Sequence, residues 1–169
     1  MVRLIGAVLV AAGCAWGGFQ AAEGMRRRAR TLRELSSGLA LVERELELTA
    51  PPLERLMAGV AARSQGVAGA LFSDCARGMS HLDEEDLPSL WRRLVEERSG
   101  LGREEREILL PLGDLLGRYD SRTQGEAVAA VRRRLEELAG RVEAEGRRRG
   151  RVYQALGLSG GAFLVILLL

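Results

Sequence analysis

Apolar residues recur every three or four positions along most of this chain, and only near its two ends does that rhythm give way to unbroken apolar runs. Residues 4–22 and 152–169 contain no charged side chain. A helix rises about 1.5 Å per residue, so a run of about 18 residues spans about 27 Å, near the thickness of a bilayer's hydrocarbon core. The pattern therefore predicts a transmembrane helix at each end. Gly13 with Gly17, and Gly157 with Gly161, have the four-residue spacing that lets helix backbones approach closely in lipid, although a chain with 21 glycines also produces such pairs by chance.

Between the runs the pattern is helical throughout. Leu32, Leu35, Leu39, Val42 and Leu46 put one apolar stripe on a helix that continues from the first run, and Ala50-Pro51-Pro52 stops it. Leu53, Leu56, Met57 and Val60 mark a second helix with proline at its start. Leu71, Cys75 and Met79 mark a short third one after a junction loosened by Gly66 and Gly69. The acids Asp83, Glu84, Glu85 and Asp86 precede Leu87, Leu90, Trp91, Leu94 and Val95, where they satisfy exposed amides and the positive end of a helix dipole. Ser99-Gly100-Leu101-Gly102 ends that helix. From Glu104 a further pattern runs through Ile108, Leu109, Leu112, Leu115, Leu116 and Tyr119, kinked or divided by Pro111, with a break expected between residues 120 and 125. Val128, Val131, Leu135, Leu138 and Val142 then repeat on a last helix that leads into the second run.

Two-residue alternation over β-branched residues is absent, so no strand is expected. The predicted fold class is all-α: two terminal transmembrane helices extended into a bundle of about six helices, with the two terminal stripes packed as an antiparallel pair. The expected divisions are an N-terminal transmembrane helix over 1–25, a helical domain over 26–151 and a C-terminal transmembrane helix over 152–169.

Charge sets the orientation. Arg26, Arg27, Arg28 and Arg30 follow the first run, and Arg147, Arg148, Arg149 and Arg151 precede the second. By the positive-inside rule these membrane-proximal collars hold the domain in the cytoplasm on a two-pass chain, and anionic lipid attracts each arginine by about 1 kcal/mol. Residues 34–145 carry 15 Arg against 22 Asp and Glu, a net −7 that the chain's overall +2 conceals. Only seven aromatics occur, four of them in the apolar runs, so no basic face interleaved with aromatics exists and nucleic acid is not an expected partner. Cys14 and Cys75 fall in different compartments of this topology and cannot make a disulfide framework. Ala11-Ala12-Gly13-Cys14 loosely resembles a lipoprotein cleavage box, but cleavage would export the domain against the charge rule.

No catalytic constellation emerges, so no catalytic, cofactor-binding or metal-binding residue is assigned and no cofactor is expected. His81 is the single histidine, which excludes paired-histidine chemistry. The chain has no lysine, so it lacks the phosphate-binding lysine of a P-loop NTPase. Carboxylate pairs such as Glu104 with Glu105 and Glu136 with Glu137 sit in charged helical runs beside arginine, where a solvated face is the simpler reading.

At Leu112-Gly113-Asp114-Leu115-Leu116-Gly117-Arg118-Tyr119-Asp120, followed by Gln124, the chain resembles the stage III sporulation protein AB family of endospore-forming bacteria. The match extends along the whole length. It takes in Leu4-Ile5-Gly6-Ala7 with Trp16, Gly17 and Phe19, then Leu32, Leu35 and Leu39, the run from Glu43 to Glu47, Pro52-Leu53-Glu54, Trp91, Tyr153 and Leu156-Gly157. Pro111 and Gly125 depart from the family pattern and argue against one continuous helix there.

The resemblance implies a non-catalytic membrane platform subunit of a sporulation transenvelope channel complex, in the mother-cell membrane around the forespore. It implies a cytoplasmic domain similar to the F domain of type II secretion and type IV pilus platform proteins. The implied partners are a secretion-type ATPase, the stage III sporulation protein AA, and other membrane proteins of that complex. Membrane lipid is a partner by the collars, and a homo-oligomer is compatible. A different class of function stays open: a structural membrane scaffold that binds anionic lipid and has no ATPase partner. Gly113, Gly117, Asp120 and Gln124 step by four, three and four, which on one helix places them within about 60° of arc. That stripe is either a partner surface or internal helix packing with Asp120 capping the next helix.

Overall fold

The computed structural model describes the backbone of residues 2–80 and 86–168 and, within those, the side chains of 20, 23–80, 86–148 and 150. Among the described residues there are seven α-helices and no strand: α1 Val2–Leu48, α2 Leu53–Arg63, α3 Gly66–Met79, α4 Leu87–Glu97, α5 Arg103–Leu109, α6 Leu112–Leu115 and α7 Ser121–Leu168. The chain divides into two compact units, one of Arg30–Ala139 and one of Met1–Ala29 with Gly140–Leu169.

In the Arg30–Ala139 unit the predicted stripes are buried. On α1, Leu32, Leu35 and Val42 are fully inaccessible and Leu39 and Leu46 nearly so, and on α7 the same is true of Val128, Leu135, Leu138 and Val131. Two polar links fix how these helices run. The Ser36 hydroxyl donates to Glu136 Oε1 at 2.9 Å, and Arg132 Nε donates to Glu43 Oε2 at 2.9 Å. Seven residues forward on α1 thus correspond to four residues backward on α7, which makes the pair antiparallel. Arg132 also bonds Glu136 at 2.8 Å, so Ser36, Glu136, Arg132 and Glu43 form one polar chain along the seam.

The short helices complete the core. Leu56, Met57 and Val60 of α2, Leu71, Phe72, Cys75 and Met79 of α3, and Leu90, Trp91 and Val95 of α4 turn inward. Burial pushes the Cys75 thiol up to about 12, which leaves it an inert apolar group at neutral pH. Long-range carboxylates position two of these elements. Glu34 on α1 accepts the amide of Val67 at 3.3 Å, within the first turn of α3 where helical partners are missing. Asp74 on α3 is shared by Arg98 and Arg77, and the bond from Arg98 is the main reason its carboxyl lies below the usual range. At the start of α4, Asp86 caps the helix by accepting the Ser89 amide at 3.1 Å; Asp83, Glu84, Glu85 and His81 lie outside the described residues.

Pro111 divides the helical pattern rather than kinking it. Proline has no N–H to give to the carbonyl four residues back, α5 stops at Leu109, and Gly113 N–H closes a tighter turn on Leu110 O at 3.2 Å. Trp91 takes up the freed Leu109 carbonyl, donating its indole N–H at 2.9 Å from a buried position. The second break lies earlier than expected. The chain leaves the helix at Leu116, turns through Gly117 at φ +75°, and re-enters at Ser121, so Gly125 sits inside α7. Asp120 explains the difference, because it supplies an N-cap ahead of the glycine.

The second unit carries the collars apart from Arg30, which opens the domain unit. The side chain of Met25 sits 3.6 Å from where a Cβ on Gly146 would be, an ordinary contact between the two helices. Among the described residues no helix is long and apolar enough to cross a membrane. The two predicted transmembrane runs, with Cys14 and both glycine pairs, lie almost wholly outside the residues whose side chains are described.

Truncation tests the seam. Leu35→Ala and Leu135→Ala should each cost about 2–5 kcal/mol of folding free energy in denaturant titration. Leu48→Ala, on a side chain 68% exposed, should change it by no more than about 0.5 kcal/mol.

Candidate functional site

The four residues of the expected stripe are brought together, but not on one helix. Gly113 lies in α6, Gly117 in the turn, Asp120 at the start of α7 and Gln124 within it. The stripe is therefore a folded corner, and the steps of four, three and four do not describe its geometry.

Gly113 is buried against Trp91. A Cβ there would come within 3.0 Å of the Trp91 Cβ, closer than real side chains pack, so the small residue is what lets α6 lie on the indole. Gly117 is exposed and left-handed at φ +75°, a conformation that a residue with a Cβ enters only at a cost. Its amide donates to Gln124 Oε1 at 3.1 Å, and Gln124 Nε2 in turn donates to the Tyr119 carbonyl. One amide side chain from the first turn of α7 thereby satisfies both sides of the connection.

Asp120 is the cap of α7. Its Oδ1 accepts the amides of Arg122 and Thr123, each at 3.1 Å, and its Oδ2 accepts the Thr123 hydroxyl at 2.7 Å. The Thr123 hydroxyl is the largest cause, with the Thr123 and Arg122 amides, of a carboxyl pKa below the ordinary value. Glu136 on the seam is lowered too, first by the Ser36 hydroxyl and then by Arg132.

The collars are on the surface where they are described. Arg26, Arg27, Arg30, Arg147 and Arg148 are exposed and Arg28 is half-buried, while the side chains of Arg149 and Arg151 lie outside the described residues. Arg27 reaches Glu23 one turn back at 3.3 Å. The sequence reading missed the polar chain Ser36, Glu136, Arg132, Glu43. The signal for it was faint: Glu43 and Arg132 each sit one position after a buried valine, at the edge of their stripes.

No group of three or more His, Cys, Asp or Glu able to hold a metal ion occurs among the described residues. What the fold and these sites define is an all-helical domain closed by its own first and last helices, with its polar side chains used for caps and links. The family model for stage III sporulation protein AB matches residues 3–169, and the chain belongs to that family. Stage III sporulation protein AB of Bacillus subtilis (strain 168) is 26% identical over 176 residues, covering all of both chains. A solved structure of stage III sporulation protein AB superposes with a TM-score of 0.63 at 21% identity, over 72% of this chain and 97% of that one, and supports the same fold.

Removal of the turn's links should register as stability. Gln124→Ala should cost about 1 kcal/mol, because it strands the Gly117 amide and the Tyr119 carbonyl. Asp120→Asn should lower the melting temperature at neutral pH. A carboxyl whose folded pKa is depressed stabilises above its unfolded pKa, and that stability fades as pH falls through the folded value. The difference between Asp120→Asn and the parent, followed by calorimetry, should therefore shrink as the solution is taken below about pH 4.

Proposed function

We propose that this chain is a non-catalytic platform subunit of a sporulation membrane complex. Its two ends cross the mother-cell membrane around the forespore, and its helical domain hangs in the cytoplasm. There it couples a secretion-type ATPase, like stage III sporulation protein AA, to the channel assembly, much as an F domain serves a type II secretion platform. The observation that carries this reading is the antiparallel seam. It brings Arg30 and Ala139, the two ends of the domain unit, out at the same end, which a domain anchored by two membrane helices requires. Family membership over residues 3–169 supports the sporulation setting, and the charge-free runs flanked by exposed arginines support the topology.

Gly113, Gly117, Asp120 and Gln124 serve this role by shaping the corner rather than by touching the ATPase themselves. The exposed collar arginines give the lipid-scaffold reading its own support, since they would hold the chain to anionic lipid with or without an ATPase. Co-purification separates the two. The detergent-solubilised full chain should retain a stage III sporulation protein AA-type ATPase from the same cells, and Gln124→Ala should retain it at any temperature where the domain stays folded. A chain that binds anionic vesicles but never the ATPase is a lipid scaffold.

Topology has its own check. Cys75 is too buried to report on it, so a cysteine should replace the exposed Ser99. A membrane-impermeant maleimide should leave that position unmodified in intact cells and label it after permeabilisation. Labelling in intact cells would reverse the orientation.

A further inference from the structure

At the end of the domain where α1 finishes and α7 begins, a groove of about 800 Å³ opens to solvent. Its apolar part is Leu46, Leu48 and Ala129, with Leu46 and Ala129 as the buried floor and Leu48 on the lip. Leu48 is 68% exposed and Tyr119, beside Asp120 on the same corner, is 51% exposed; no other large apolar side chain among the described residues is exposed. A soluble surface tolerates single exposed apolar residues, but here one stands on the lip of a groove and the other precedes a groove-lining residue in the chain, and no other large apolar side chain among the described residues is exposed.

The groove is also acidic. Glu43, Glu47, Asp120 and Glu126 line it against Arg122 alone. Arg122 is already paired with Glu126 at 3.2 Å, Glu43 with Arg132, and Asp120 caps α7, whereas Glu47 is exposed and held by no hydrogen bond or ion pair among the described residues. The last turn of α1 points its carbonyl end here and contains no basic residue to offset it. Ala50 then turns the chain away at φ +40°, its N–H closing on Glu45 O at 2.9 Å, so Leu48 is presented on a fixed edge rather than on a loose tail.

We infer that this groove docks a basic amphipathic helix of another protein. Its apolar residues would cover Leu48 and the Leu46 and Ala129 floor, and its Arg or Lys side chains would meet Glu47 and the outer faces of Glu43 and Glu126. Charge argues against the other occupants. A second copy of this domain brings its own net −7 over residues 34–145, and an anionic lipid surface is repelled by the same carboxylates. The docking site is distinct from the collars and does not depend on the partner's being an ATPase.

The test places a photo-crosslinking phenylalanine at position 48 of the full chain, where an exposed side chain can be replaced without touching the core. The probes are two synthetic 18-residue helices with one leucine face, one carrying arginines opposite it and the other glutamates. The arginine helix should crosslink at position 48 at least about fivefold more than the glutamate helix, in keeping with electrostatic complementarity. Glu47→Arg with Glu126→Arg should remove that preference, whereas reversing the exposed Glu54 and Glu96 elsewhere should leave it intact, and circular dichroism should show all variants folded. Equal crosslinking of both helices, a preference that survives the groove reversal, or a product linked to lipid or to a second copy of this chain would each overturn the inference.

Discussion

The antiparallel contact between α1 and α7 is what the rest of the domain depends on. Nine leucine and valine side chains on the two helices are buried within the domain unit, each contributing about 1.5–3 kcal/mol of transfer free energy before conformational entropy is set against it. The polar chain of Ser36, Glu136, Arg132 and Glu43 adds little energy by comparison, because Arg132 and Glu43 are about a quarter exposed and solvent-screened pairs are worth about 1 kcal/mol or less. Its effect is on register. A shift of one turn along the seam would keep leucine against leucine but would break Ser36 from Glu136 and Arg132 from Glu43 together. The apolar stripe sets how strongly the helices associate, and the charges set where.

The short helices take their places from that pair. Glu34 reaches from α1 to cap α3, Asp74 on α3 ties down Arg98 after α4, and Trp91 on α4 bonds the Leu109 carbonyl left free where the Gly113 amide turns to Leu110 at the end of α5. Each of these links starts on an earlier element and satisfies a loose end on a later one. The corner at Gly117 closes the sequence: Gln124 and Asp120 of α7 finish the turn that α6 began. Their hydrogen bonds fix the turn from which α7 starts.

The periodic part of this fold was legible in the sequence because burial leaves a mark every three or four residues. The stripes at Leu32 through Leu46 and Val128 through Val142 could be read directly, as could the inward faces of α2 and α4 and the cap at Asp86. The corner was legible only at Asp120, expected in one of two readings to cap the next helix, and the rest was hidden for a physical reason. Gly113, Gly117, Asp120 and Gln124 fall on a helical spacing, but Pro111 withholds a hydrogen bond and Gly117 adopts a left-handed conformation, so the spacing has no helix to act on. Asp120 with Thr123 was in fact the stronger signal, an N-cap that overrides the glycine at 125. The links from Glu34 to Val67 and from Arg132 to Glu43 join residues 33 and 89 positions apart, and no local pattern encodes them.

A domain built this way should draw its stability first from its first and last helices. Native-state hydrogen exchange on the full chain measures this most directly. Amides of residues 32–46 and 128–139 should exchange only through global unfolding, with the same dependence on denaturant as the melting of the whole domain, while α5 and α6 open earlier. Exchange from either seam helix that is faster than from α3, or independent of global unfolding, would contradict the account.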